Sequence, residues 1–354
     1  SDGCWFERAD DSDGTIGDVV RSACVHWLQA AKRCERPSDE WPDRLLNLYQ
    51  QDQYGARNGI LRQANLLLDE SGMRQLVGQL EDLLAKAIAV RSIDQSLPHE
   101  VFKFSAALSL LSEALDDPDV RVKAVCSYSP EPNGLQKEEF VRAYLKAGRP
   151  LDALVWLEVT WGDRYESARQ RLLSDTLAIL GRLEESAEIR RGIFERSLAV
   201  IHFHRLLEVL PQGLHAAAHE RASQMAFSHD DAIVAAQLLL EIGDAPRAES
   251  KLLTASNVNG DLYGSLLPMA KLLVEQNCPR GASVVYRALL IGILERGYVK
   301  AYGHAASYWR TLKQINAGAD SLVPLISQEA FEAGIRLKHA RKASFWTQVG
   351  EREH

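Results

Sequence analysis

No stretch of roughly 18 uninterrupted apolar residues occurs in the chain, so it offers no membrane-spanning helix. Cysteine is scarce as well. Five are present among 354 residues (Cys4, Cys24, Cys34, Cys126 and Cys278), an odd number, widely scattered and without a Cys-x-x-Cys pair. That argues against a disulfide framework and against the commonest zinc and redox motifs, and a reduced, cytoplasmic setting is the simplest expectation. The start, Ser1-Asp2-Gly3-Cys4-Trp5, has neither the basic beginning nor the apolar core of a secretory signal. Positive charge is in short supply: 41 Lys and Arg face 48 Asp and Glu, for a net charge of −7, which works against wrapping around nucleic acid. Also missing are the Gly-x-x-x-x-Gly-Lys-Ser/Thr, Gly-x-Gly-x-x-Gly and Gly-x-Ser-x-Gly motifs that cradle phosphates or present a nucleophile. Carboxylates abound, but no pair stands out for acid and base roles. The expectation is a protein without enzymatic activity or cofactor.

Only twelve prolines occur, gathered at polar junctions such as Arg36-Pro37-Ser38 and Ser129-Pro130-Glu131-Pro132-Asn133-Gly134, and strand-like alternation between them is absent. Apolar residues instead recur every three or four positions. Ile16, Val19, Val20, Ala23, Trp27, Leu28 and Ala31 form one stripe behind Thr15 and Asp18 in capping-box spacing. Leu76, Val77, Leu80, Leu83, Leu84, Ala87 and Ile88 predict a helix over about 71–91, and Pro98-His99-Glu100 opens another reaching about Leu115. Trp41 before Pro42 reads as a hydrophobic staple at a helix start. Residues 1–128 are thus expected to form a helical bundle or irregular helical repeats.

From about residue 138 a period emerges. Gly148 stands five residues before Ala153, Gly181 before Ser186, Gly213 before Ala218, Gly243 before Ala248, and Asn277 before Ala282, with starts 33, 32, 30 and 34 residues apart. In each unit the Gly or Asn can end a first helix in a left-handed turn, and the small residue lets the second helix pack closely. This spacing, with phrases such as Tyr144-Leu145-Lys146-Ala147-Gly148-Arg149-Pro150-Leu151-Asp152-Ala153, resembles the tetratricopeptide repeat of 34 residues. The fold expected is all-α: a right-handed α-solenoid of tetratricopeptide-like hairpins over 138–297, closed by capping helices over 298–354. Repeat register places Tyr144, Lys146, Arg171 and Gln237 in a concave groove. Trp156, Trp161 and Tyr165 are expected to wedge between units.

Four segments carry a wider resemblance: Asp10 to Val19; Ala147-Gly148-Arg149 running to Leu157; Val285-Tyr286-Arg287-Ala288-Leu289-Leu290 with Lys300-Ala301-Tyr302-Gly303-His304-Ala305; and Arg336-Leu337-Lys338-His339 with Arg341-Lys342 and Phe345-Trp346. On these the chain resembles an uncharacterised bacterial family of all-helical proteins of unknown function, whose members carry further N-terminal sequence. Similar helical tails occur in bacterial proteins with a SWIM-type zinc finger. That finger's set of Cys-x-Cys and Cys-x-His elements is missing here, so the resemblance implies neither zinc nor DNA binding.

Two constellations suggest metals and fail on register. In Asp10-Asp11-Ser12-Asp13-Gly14, placing Gly14 at position 6 of a calcium loop leaves Ala9 at position 1 and Val20 at position 12, so a capping turn is expected instead. His215 and His219 share the i, i+4 spacing of zinc proteases, but Ala216 stands where the Glu is needed. The most distinctive stretch interleaves aromatics with cations: Tyr298, Lys300, Tyr302, His304, Tyr308, Trp309 and Arg310, then Arg336, Lys338, His339, Arg341, Lys342, Phe345 and Trp346. It reads either as a capping hairpin or as a surface for a partner, with Lys300, Tyr302, His304, Arg310, Arg336, Lys338, Arg341, Lys342 and Trp346 as contact candidates. The function expected is a scaffold that holds a protein or peptide partner. A nucleic-acid-binding solenoid using the same end is the alternative.

Overall fold

A computed structural model describes residues 15–34, 38–52, 55, 57–90, 96–255, 257–317 and 323–350. Every regular element among them is helical, and none is a strand. Among the described residues no helix is long and apolar enough to cross a membrane. The chain divides into two compact units, residues 1–182 and 183–354. The Asp10–Gly14 loop lies outside the described residues.

The first unit holds α1 (Thr15–Ala31), α2 (Trp41–Gln50), α3 (Asn58–Arg62), α4 (Glu70–Ala89), α5 (His99–Leu115), α6 (Pro118–Tyr128), α7 (Gly134–Lys146), α8 (Pro150–Leu157) and α9 (Asp163–Ile179). Helices α4 and α5 match the expected spans. Asp69 caps α4 by accepting from Gly72 N at 2.8 Å, and Asn133 with Gln136 forms a reciprocal capping box on α7. Leu28, Leu45, Leu61, Leu76, Leu80, Leu108 and Leu111 fill one core. Phe140, Val141, Ala153, Leu157 and Trp161 fill a second. Two expectations need correcting. The buried face of α1 runs through Cys24, Leu28 and Ala31, leaving Val19 64% exposed and Ala23 in solvent. Trp41 is no staple: it is the first residue of α2, behind Glu40 at the N-cap, and its ring meets Trp27 edge-on at 6.1 Å.

The second unit holds α10 (Leu183–Ser197), α11 (Val200–Leu207), α12 (His215–Ser228), α13 (Ala232–Glu241), α14 (Ala245–Leu253), α15 (Tyr263–Glu275), α16 (Pro279–Arg296), α17 (Tyr302–Ala317), α18 (Gln328–His339) and α19 (Ala343–Val349). Its main helix contacts join α10 with α11, α12 with α13, α13 with α14, α15 with α16, α16 with α17, and α17 with α19.

One turn recurs through the chain. Gly148, Gly181, Gly243 and Asn277 adopt left-handed φ values of 69, 76, 83 and 57°, and Asp116 joins them at 52°. After each, the next residue's N–H reaches back to a carbonyl five residues earlier: Asp117 to Ser112 (3.0 Å), Arg149 to Tyr144 (2.9 Å), Arg182 to Leu177 (2.9 Å), Asp244 to Leu239 (2.8 Å) and Cys278 to Leu273 (2.8 Å). This is the Schellman arrangement, which satisfies the last orphan carbonyls of the first helix. A new helix then begins at once, on Pro118, Pro150, Leu183, Ala245 or Pro279. Ala153, Ala248 and Ala282, each five residues past the turn, are fully buried.

Gly213 departs from the expected pattern. It lies in a 3-10 turn, Gln212–Leu214, that leads into α12, and its φ is not left-handed. Pro211 just upstream lacks the N–H needed to continue a helix, so α11 has already ended at Leu207. Gly243→Ala is therefore expected to cost about 1–2 kcal/mol, since nothing but its left-handed backbone opposes a Cβ. Gly213→Ala should be neutral or stabilising by up to about 1 kcal/mol. Urea unfolding of the two variants checks this; equal losses would refute the turn assignment.

Candidate functional site

Residues 298–350 carry seven Lys and Arg against three Asp and Glu, in a chain whose net charge is −7. Helix α16 stops at Gly297, whose φ of 66° supplies the left-handed cap, and a short turn at Val299–Ala301 leads into α17. Tyr302, Ala305, Ala306, Trp309 and Leu312 then follow one buried face of α17, on which α19 packs. That face decides where the aromatics go. Trp309 and Phe345 are fully buried, and Trp346 meets Trp309 at 5.5 Å and Phe345 at 4.8 Å, edge to face. Trp346 Nε1 donates to the His339 carbonyl at 3.0 Å, pinning α19 beneath the end of α18.

The cations divide into two sets. Arg336 is half-buried and lies over both indoles, 4.9 Å from the Trp346 ring centre and 5.7 Å from that of Trp309. Lys342 lies over Tyr302 at 5.8 Å, with its Nζ donating to the phenol oxygen at 3.3 Å. Lys338 pairs with Glu295 and holds that carboxyl below its usual range. These three belong to the packing of the unit. Lys300, His304, Arg310 and Arg341 are exposed; Arg310 donates at 3.5 Å to the Gln348 carbonyl, and none of the four pairs with a carboxylate among the described residues.

The contact candidates are corrected accordingly. Tyr302 and Trp346 are 4% and 5% exposed and belong to the core, not to a surface. Tyr144, expected in a groove, is buried with its hydroxyl donating to Asp119 at 2.7 Å, while Lys146 and Arg171 are exposed and Gln237 is half-buried. Trp161 is core, with Nε1 donating to Trp156 O at 2.8 Å. His215 Nε2 sits 3.1 Å from Leu210 O, and the His219 ring packs edge-on against Phe203 at 5.0 Å. One Cys-x-His triplet does occur, Cys24-Val25-His26 on α1. Among the described residues no group of three or more His, Cys, Asp or Glu could hold a metal ion.

Sequence reading missed a further feature of the same unit. Arg287, in the middle of α16, is buried under Phe331, whose ring centre lies 4.5 Å from the guanidinium carbon. Its neighbours in the chain are apolar, and no periodic signal marks it.

Against these features, the model of a family of unknown function (DUF6880) matches residues 3–348. The chain belongs to that family. No curated protein and no solved structure matches it.

Two outcomes are expected from the packing. His339 is buried, and its pKa is lowered by desolvation and by Lys342 and Lys338, with Glu295 opposing. The folded state therefore favours the neutral ring, and the unfolded chain takes up the proton first as the pH falls. Stability is full above about 6.5, the ordinary value, and declines below it toward the folded-state value. Thermal unfolding at pH 7.5 and 5.5 should show this loss, and His339→Gln should shrink it. Separately, Arg336→Ala should cost about 1–2 kcal/mol through lost contact with both indoles, while Arg341→Ala stays within about 0.5 kcal/mol, as denaturant midpoints would show.

Proposed function

We propose that the chain is a non-enzymatic, cytoplasmic helical-repeat scaffold that holds an acidic protein segment at the basic end of its second unit. Its architecture on this reading is a right-handed α-solenoid of tetratricopeptide-like hairpins. Within each unit the main helix contacts join helices one or two apart in the chain, as expected where each repeat touches only its neighbours. The recurring left-handed turn at 116, 148, 181, 243 and 277 supports the same reading. Cys34, Cys126 and Cys278 stand outside any disulfide among the described residues, which suits a reducing compartment.

The observation that carries the partner assignment is the exposed set of Arg310 on α17, Lys300 in the turn before it and Arg341 in the turn before α19, the two helices that Trp309, Phe345 and Trp346 lock together. Cations without carboxylate partners among the described residues, in an otherwise acidic chain, attract an acidic segment that the rest of the negatively charged surface repels. The same charges keep the nucleic-acid alternative in view. Burial of Tyr302, Tyr308, Trp309 and Trp346 weighs against it, because single strands are gripped largely by exposed aromatic faces.

The test compares the intact chain with a Lys300→Glu, Arg310→Glu, Arg341→Glu variant in pull-downs from native lysate with and without nuclease, alongside titration with an acidic peptide and with a single-stranded oligonucleotide. A stoichiometric, nuclease-resistant protein lost in the variant, with peptide binding weakened at least tenfold, is the expected outcome. Recovery of nuclease-sensitive material alone would instead favour the nucleic-acid alternative.

A further inference from the structure

Residues 252–255 and 257–261 border, with α16, a cleft of about 500 Å³, within the range of small-molecule sites. Its wall is built by close backbone contact. A Cβ on Gly260 would stand 2.0 Å from the Ala288 carbonyl oxygen, and one on Gly292 would stand 3.0 Å from the Gly260 backbone, so the segment is seated where both partners are glycine. Asn259 Oδ1 accepts from Asp261 N at 3.0 Å and shapes the turn beside it.

The ionisable groups around this cleft are unevenly matched. Arg296 pairs with Asp261 at 3.0 Å, and Glu295 pairs with Lys338, so those four cancel. Arg287 has no such partner among the described residues. It is 7% exposed, donates from Nη1 to the Ile326 carbonyl at 3.0 Å, has Nη2 3.4 Å from Gln328 Oε1, and pairs with no carboxylate among the described residues. Its Nε is buried without an acceptor among them. Arginine does not shed its proton to escape such a site, so the cost of an unpaired buried charge stands until an anion offsets it. Burial alone pushes its pKa down, with no opposing carboxylate to restore it.

We propose that this cleft binds a small organic oxyanion, a carboxylate or a phosphate ester, with Arg287 as the residue that selects its charge. With Arg296 paired to Asp261 and Glu295 to Lys338, Arg287 is the lining charge left without a carboxylate among the described residues, and it favours an anion over a cation or a neutral molecule. The incoming oxyanion supplies the counter-charge that the guanidinium lacks among the described residues, and Asn257 and Ile291 line the cavity around its body. This site is separate from the exposed cations of the basic end and stands whether or not a protein docks there.

The experiment uses the full chain with four probes, citrate, succinate, inorganic phosphate and adenosine monophosphate, each against sodium chloride at matched ionic strength. Binding is read by calorimetry and by the unfolding midpoint. At least one probe is expected to bind one to one and to raise the midpoint by about 5 °C at a hundredfold excess over its Kd. Ile291→Trp fills the cleft while leaving the contacts of Arg287 in place, and should weaken that probe at least tenfold. Arg287→Met should abolish binding, with helical content checked by circular dichroism; Ile291→Trp decides the matter even if Arg287→Met unfolds. The proposal is overturned if no probe binds beyond the salt control, or if the probe that binds does so with unchanged affinity in Ile291→Trp.

Discussion

A helix can reverse direction within a few residues only if its last carbonyls find donors before the next helix begins, and the remainder of this fold depends on how that is done. At positions 116, 148, 181, 243 and 277 one residue turns left-handed and the following N–H groups swing back onto the end of the helix they leave. Because the bonds are complete after two residues, a proline at the first helical position can start the next helix immediately, as at Pro118, Pro150 and Pro279. At 116, 148, 243 and 277, where both helices belong to one unit, the second helix therefore leaves the turn in a fixed relation to the first. Ala153, Ala248 and Ala282 then fall on the buried face of the second helix, where a larger side chain would disturb close packing.

Much of this is legible in the sequence, and the exceptions have physical causes. Aligning on glycine finds 148, 181 and 243 because glycine accepts a left-handed φ without cost, and Asn277 because its short polar side chain tolerates it. The same search overlooks Asp116, which sits 32 residues before Gly148 and makes the same turn by the same tolerance. It also admits Gly213, whose spacing fits although Pro211 has already redirected the chain. A residue's permission to turn left is visible in its type; whether the turn happens there depends on where the preceding helix has stopped.

The mixture of aromatics and cations near the C-terminus shows a different limit. Composition cannot say which of these side chains face inward, but helical period can: Tyr302, Ala305, Ala306, Trp309 and Leu312 share one stripe, and that stripe is the buried one. Reading the stripe before the composition places Tyr302 in the core from the outset. Trp346 is harder, because α19 has only seven residues and too few turns for a period. Lys300, Arg310 and Arg341 are left outside by the same geometry, and their exposure follows from what the aromatics require.

Four arginines of the second unit show how differently one side chain can be accommodated. Arg280 has Glu249, which is itself buried and also accepts from Gly281 N at 2.9 Å, so charge and backbone donor share one carboxylate. Arg336 spreads its cation over two indole faces while keeping contact with water, where a cation–π contact is worth roughly 0.5–2 kcal/mol. Arg341 stays in solvent and incurs no desolvation at all. Arg287 has the aromatic face of Phe331, the Ile326 carbonyl and, at 3.4 Å, the Gln328 amide oxygen, and these neutral groups are weak compensation beside the several kcal/mol that a buried ion without a counter-charge costs. A methionine of similar length would pack under Phe331 without that penalty, so packing alone does not account for an arginine at this position. The exposed cations cost the fold little and need no special explanation for their retention, whereas Arg287 is a charge that the fold carries at its own expense, directly beside an open cleft.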